Sequence, residues 1–240
     1  MILAPKFETA TELWYPWLTS YLPKILDEQG LTYVILAGAS TNRETVWTEI
    51  RAHEPRLILG VGHGNEDVYT GDQYDEIWRT CNYPTDLMTG RGFSPVSCRV
   101  GVRLVPDMVS KGLGSGLGED VDYAFWYTSG ADPLQDAVLG SFTKSEFTYA
   151  IALGQGYVHA ASHDIMKRAY YKAAEGQAPH VASTLKKDAD HRLKFGDDNW
   201  KLVGGEPPQP PQERKIVLNG YLSIGDVVKF PIHLEGVLEE

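Results

Sequence analysis

The sequence predicts an α/β fold: a three-layer, doubly wound, mostly parallel sheet with a small β extension at its C-terminal end. Three observations lead there. Residues 32–37 (TYVILA) and 57–61 (LILGV) are apolar at consecutive rather than alternate positions, as strands covered on both faces are. Helical patterns precede and follow the first of these runs, so strand and helix alternate as in a parallel sheet. Finally, Pro207-Pro208-Gln209-Pro210-Pro211 forms a stiff boundary, beyond which only short strand-like runs occur.

Taken in order, Ile2-Leu3-Ala4 is a short strand stopped by Pro5. Thr9 and Glu12 have capping-box spacing and open a helix whose Leu13, Trp14, Trp17, Leu18, Tyr21, Leu22, Ile25 and Leu26 form a wide apolar face. Pro23 predicts a kink or a split in it, and Gly30 a C-cap. The strand at 32–37 leaves through Gly38-Ala39-Ser40, and Thr41 with Glu44 repeats the capping-box pattern at the start of a helix reaching Ile50. The strand at 57–61 follows and ends at Gly62-His63.

Residues 63–93 mix Tyr69, Tyr74, Trp78 and Tyr83 with Asp67, Asp72, Asp75 and Glu76, which reads as a partly exposed flap with a short helix at 75–79. Residues 93–97 form the next strand, although Pro95 removes a ladder donor and is expected only at an edge, a strand start or a bulge. A helix over 101–111 is predicted next, its N-terminus toward Cys98. The run Gly112-Leu113-Gly114-Ser115-Gly116-Leu117-Gly118 lacks the ending of a phosphate loop, and the dinucleotide fingerprint needs a preceding strand that it does not have. Two helices fill 133–175, broken at Gly154-Gln155-Gly156. A more charged helix covers 180–194, and residues 200–203 form a last strand. The domains are therefore 1–205, a linker at 206–212, and a β-ribbon at 213–240. The ribbon is read as strands at 215–218, 221–224 and 227–230 with turns at Asn219-Gly220 and Gly225-Asp226. A ribbon this small is marginal alone, so it is expected to dock on the main domain or to join copies of the chain into a homo-oligomer.

A formal net charge of −10 argues against a general affinity for nucleic acid, and no basic arm offsets it. No apolar run is long enough to span a bilayer, and the first five residues are too short for a signal-peptide core, so no membrane partner and a cytoplasmic location are expected. There a reducing environment would keep Cys81 and Cys98 free.

The chemistry concentrates where two predicted strands stop. His63 ends one and Cys98 the next, 35 positions apart, which leaves room for the crossover a parallel pair needs. Parallel neighbours would bring both residues to the carboxyl edge of the sheet, where open α/β folds hold ligands. An imidazole there can act as base to a thiol, and the imidazole together with a helix N-terminus is expected to lower the thiol pKa. Gly64 lets its own N–H approach a carbonyl closely. With the Cys98 N–H it would form an oxyanion hole. His159 and His163 lie four apart, a metal-ligand spacing. With no zincin glutamate and no cysteine nearby they read instead as two partly buried or surface histidines. A metal-dependent hydrolase using His63, His159 and His163 is a remaining alternative, and no cofactor or metal is expected.

At Gly62-His63-Gly64 and Ser97-Cys98 the sequence resembles the caspase-like cysteine peptidases, which include caspases, legumains, clostripain and gingipains. The surroundings, with Asn65-Glu66-Asp67 after the histidine and Gly101 after the cysteine, look most like compact gingipain-like proteins of archaea and bacteria. The resemblance runs over roughly residues 1–205 in element order, and its sharp part is the two dipeptides and their strands. It implies a caspase-like fold and a cysteine endopeptidase acting on polypeptides, with His63 and Cys98 catalytic and Gly64 and Cys98 as the oxyanion hole. It also implies recognition of one side chain before the cleaved bond. Glu119, Asp120 and Asp122, following the glycine-rich run that by position looks like the family's next sheet strand, suggest Arg or Lys there, and a solvated acidic loop explains them equally well. The alternative is a catalytically silent caspase-like protein with an assembly or regulatory role. No residue orienting His63 is evident from the sequence.

Overall fold

The computed structural model describes residues 1–202, 214–224 and 228–238, and it divides into two compact units, Met1–Glu206 and Pro207–Glu240. In chain order the first unit contains β1 (Ile2–Ala4), α1 (Thr9–Pro16), a π-turn (Trp17–Tyr21), α2 (Leu22–Glu28), β2 (Ile35–Ala37), α3 (Arg43–His53) and β3 (Leu57–Val61). A hairpin of β4 (Val68–Thr70) and β5 (Glu76–Arg79) follows, then β6 (Gly92–Val96), α4 (Leu104–Ser110), β7 (Ser115–Glu119), α5 (Ala137–Gly154), α6 (His159–Ala174), α7 (Pro179–His191) and β8 (Arg192–Gly196).

Among the described residues the central sheet has the order β2-β1-β3-β6-β7-β8. The first five strands run parallel and β8 is antiparallel at the edge. Successive side chains of a strand point to opposite faces, and the core divides accordingly. Ile2, Ala4, Leu57, Leu59 and Val61 pack with Trp14, Trp17, Leu22, Phe142, Met166 and Leu185 of α1, the π-turn, α2, α5, α6 and α7. Leu3, Ile58 and Phe93 pack with Val46, Ile50, Leu104 and Met108 of α3 and α4, and with Tyr69 and Trp78 of the hairpin. The molecule is thus a mixed α/β protein with a mostly parallel sheet between helical layers.

Several local expectations are corrected. The helix near Asp75 is instead β5, with Tyr69 opposite Trp78 and both side chains buried. The last strand is β8 rather than residues 200–203, whose described members lie outside any strand. Trp200 instead caps glycine-lined backbone, donating its indole N–H to Gly90 O at 3.0 Å. The first helix is capped by Glu8 rather than Thr9: its carboxylate accepts from the amides of Ala10 and Thr11. α3 is capped by Asn42 rather than Thr41. Pro23 sits at the start of α2, just beyond the π-turn that absorbs the break.

Pro95 lies in a central strand, and pairing alternation explains why it is tolerated there. Gly92 N donates to Arg56 O and Val96 O accepts from Gly62 N, so positions 92 and 96 face the β3 side and position 95 faces β7. The β6–β7 ladder stops at Phe93↔Gly116, before a proline nitrogen would be asked to donate. The free Pro95 carbonyl accepts from the Arg192 guanidinium of β8.

In the second unit β9 (Arg214–Ile224) and β10 (Val228–Leu238) pair antiparallel from Val228↔Ile224 to Leu238↔Arg214. Asn219-Gly220, expected as a turn, lies inside β9 opposite His233 and Ile232. The Pro-rich linker and Gly225-Asp226 fall outside the described residues.

Candidate active site

The register of two central strands positions the site. β3 and β6 pair in parallel through Val61↔Val96, so His63 and Cys98 each lie two residues past a paired position, at the same edge of the sheet. The two loops beyond are locked together. A Cβ at Gly64 would collide with Ser97 Oγ and would stand 2.6 Å from Val68 O, so only glycine lets the two dipeptides meet. Arg99 and Arg103 pair with Glu66, Arg103 also with Asp67, and Leu104 N donates to Glu66 O at 2.9 Å. The Asn65-Glu66-Asp67 run after the histidine is therefore a tether to the cysteine loop. Arg99, directly after Cys98, has φ of +57°, a left-handed conformation that costs a non-glycine residue about 1–3 kcal/mol and is concentrated at functional sites.

His63 has a partner that the sequence did not reveal. Its Nε2 lies 3.0 Å from Glu8 Oε1, close but off the direction of a well-formed hydrogen bond. Burial acts to raise the Glu8 carboxyl, but the Ala10 and Thr11 amides and the His63 imidazole outweigh it and hold the group below its ordinary value. Two aromatic rings flank the imidazole: Phe7 at 5.8 Å and Tyr74 at 5.0 Å between centroids. Tyr74, 60% exposed with φ of +60°, sits in the turn between β4 and β5, so the flap overhangs His63.

Cys98 is half-buried, and its Sγ lies 3.9 Å from Tyr123 O. The thiolate expectation is corrected here. Burial pushes the thiol above its ordinary value, and the charges of Asp122 and Glu119 add to the rise. No helix N-terminus offsets this, because α4 starts at Leu104 and not at Gly101. Among the described residues neither the Gly64 nor the Cys98 amide donates to another protein group.

The three acidic residues after β7 separate. Glu119 is fully buried, both carboxylate oxygens 2.9 Å from an Arg192 guanidinium nitrogen, which removes it from the surface role expected of it. Asp120 is exposed and accepts from His191 Nδ1 at 2.8 Å, and Asp122 is exposed. Arg192, 1% exposed, also pairs with Glu146, whose other oxygen accepts from Tyr170 OH at 3.0 Å. His159 and His163 are buried and committed to the fold. His159 bonds Tyr149 OH at 2.8 Å and Phe195 O at 3.1 Å, and His163 bonds Arg192 O at 2.7 Å. Among the described residues no three His, Cys, Asp or Glu side chains converge as metal ligands would. Among the described residues no helix is long and apolar enough to cross a membrane.

A mostly parallel α/β sheet with a histidine and a cysteine level at its carboxyl edge is the class that fold and site define. No protein-family model and no curated protein matches the sequence. In fold, the chain is similar to the crystal structure of the Arg-specific cysteine proteinase gingipain R, with a TM-score of 0.54 and 12% sequence identity. The match covers 83% of this chain and 46% of that one, so this chain spans less than half the length of its structural neighbour. At that identity the likeness is one of fold.

Proposed function

We propose that the chain is a cysteine endopeptidase with Cys98 as nucleophile and His63 as its acid and base. The observation that carries this reading is the β3–β6 register, which puts both residues two positions past Val61↔Val96 with Gly64 seated against Ser97. His63 would take the thiol proton as Sγ bonds the peptide carbonyl carbon. The Gly64 and Cys98 amides would hold the oxyanion, and His63 would pass the proton to the leaving amine. Water, deprotonated by His63, then hydrolyses the thioester and restores the thiol. The raised thiol pKa suits this order: Cys98 rests protonated and depends on His63 once substrate is bound. Glu8 would hold the imidazole in place.

The same raised thiol, facing a backbone carbonyl, favours a second reading, a caspase-like protein without catalysis that serves assembly. Labelling of the folded protein with peptidyl chloromethyl ketones, followed by mass mapping, separates the two. The peptidase reading expects modification of Cys98 and not of exposed Cys81, lost in His63→Ala. Absence of selective modification at Cys98, with an oligomer that dissociates when residues 206–240 are deleted, would favour assembly.

A further inference from the structure

Along the carboxyl edge of the sheet the strands β1, β3, β6 and β7 stand in that order. The loops beyond them carry, in turn, Phe7 with Glu8, His63, Cys98 and Tyr123, so these residues form a row. A peptide lying along the row has one polarity once Cys98 is the nucleophile. Its carbonyl carbon must meet Sγ while the leaving nitrogen comes within reach of the imidazole. The part that follows the cleaved bond therefore passes His63 toward β1, where the proposed chemistry uses only Glu8.

Two aromatic rings lie there. Half-buried Phe7 and exposed Tyr74 meet edge to face, 4.8 Å between centroids, and both flank the His63 imidazole. The turn that presents Tyr74 is anchored on three sides. Lys6 N donates to Asp72 Oδ1 at 3.0 Å, Asp72 N to Thr41 O at 2.8 Å, and Gly71 N to Asp75 O at 2.8 Å. Within it Gln73 and Tyr74 both take left-handed backbone, with φ of +50° and +60°, a conformation costly to non-glycine residues and concentrated at functional sites. Packing of the fold does not offset that cost, since Tyr74 stays mostly in solvent. The turn thus holds an aromatic side chain out beside the histidine, on the side where a leaving group would pass.

We propose, on the reading of Cys98 as nucleophile, that Tyr74 together with Phe7 is the platform for the side chain immediately after the cleaved bond, and that it selects an aromatic one. A substrate ring would gain edge-to-face contact with the pair and cover apolar surface of Tyr74 that is otherwise wet. Glycine at that position would leave the platform uncovered and gain nothing from it. This selection is separate from the choice of side chain before the bond, which faces the β7 end of the row.

The test uses synthetic peptides, cut by the full chain, with Arg, Lys, Asn or Asp before the bond and Phe or Gly after it. For each residue accepted before the bond, the Phe peptide is expected to be cut about tenfold faster than the Gly peptide in kcat/KM. Tyr74→Ala is expected to bring that ratio to within about twofold, and Tyr74→Phe, which keeps the ring, to preserve it. Tyr74→Gly, whose backbone accepts φ of +60°, is the second variant should Tyr74→Ala not fold. An effect exerted through His63 is read separately with peptidyl chloromethyl ketones, which occupy only the side before the bond. Tyr74→Ala is expected to lower the Phe peptide rate about fivefold more than the rate of Cys98 labelling. Equal wild-type rates for Phe and Gly, a ratio that survives both Tyr74→Ala and Tyr74→Gly, labelling that falls in step with cleavage, or labelling with no Phe peptide cut overturns the inference and leaves the peptidase reading standing. Failure of every peptide together with failure of every ketone at Cys98 overturns the peptidase reading and the inference with it.

Discussion

The Nε2 atom of His63 lies 3.0 Å from Oε1 of Glu8, and the same carboxylate caps α1 through the amides of Ala10 and Thr11. One side chain thus ties the first helix to the imidazole at the sheet edge, and its two tasks are separable. Glu8→Gln keeps a carbonyl able to accept from the amides but loses the charge beside the imidazole. It should lower the peptidyl labelling rate of Cys98 by on the order of 10²-fold with little change in melting temperature. Glu8→Ala should add a capping loss of about 1 kcal/mol. Equal labelling by Glu8→Gln and wild type would make the contact structural only.

Gly64→Ala tests the meeting of the two loops. The added methyl would press on Ser97 Oγ, on Val68 O at 2.6 Å and on Val100 Cγ1 at 3.0 Å, and the Val68 carbonyl is backbone that cannot rotate away. Loss of Cys98 labelling is expected, with a destabilisation of about 1–3 kcal/mol from overpacking read in urea melts. Adding Ser97→Gly should recover part of the stability, since one of the three obstacles goes.

The element order and both strands that carry the site were legible because aliphatic runs bounded by glycine report a buried strand directly. What lay between was less so. Within the hairpin at Val68–Arg79, residues 75–79 read as a short helix because a four-residue strand with one buried tryptophan carries little periodic signal. Residues 101–103 showed helical spacing, yet Gly101 N is drawn to Glu119 O and α4 starts later. Glu8 was hidden by its neighbours: the Thr9–Glu12 pattern offered a capping box one residue further on, and nothing local marks a carboxylate that acts on a residue 55 positions away. Arg192 was equally unreadable, because its purpose arises from the gap between two strands.

That gap gives a stability prediction. Arg192 is the buried cation serving Glu119 and Glu146, and it also closes β6 onto β7 through Pro95 O. Arg192→Met should cost about 3–5 kcal/mol, because breaking a buried pair leaves uncompensated charge. Combining it with Glu119→Gln and Glu146→Gln should return most of that loss in a denaturant titration. If the triple variant were no more stable than Arg192→Met, the cost would lie in packing rather than charge.

The pH dependence of stability follows from two sets of buried groups that act in opposite directions. Burial raises Glu119 to about 7, and burial together with the charge of Glu119 raises Asp188 to about 8. The folded state therefore binds protons that the unfolded chain has released, and this contribution is complete in acid and is lost as pH rises through about 7–8. His159 behaves oppositely: burial lowers it to about 4, so its contribution is complete above 6.5 and is lost as pH falls toward 4. Between 4 and 6.5 the two trends offset each other, and up to about 8 the buried Met1 α-amino group, lowered to about 5 by burial, continues to oppose the carboxyls. The stability difference between Asp188→Asn and wild type, which isolates one carboxyl, should consequently widen between pH 6.5 and 8. The groups facing Asp188 are Glu119, Glu146, Lys187, Tyr123 and Tyr170, so its ionisation is opposed mainly by other acids. Asp188→Asn should gain stability over wild type as pH rises, whereas His159→Gln should change the acid side alone. A stability difference between Asp188→Asn and wild type that holds constant from pH 6.5 to 8 would mean that Asp188 is ionised in the folded protein throughout, with a counter-charge supplied from elsewhere.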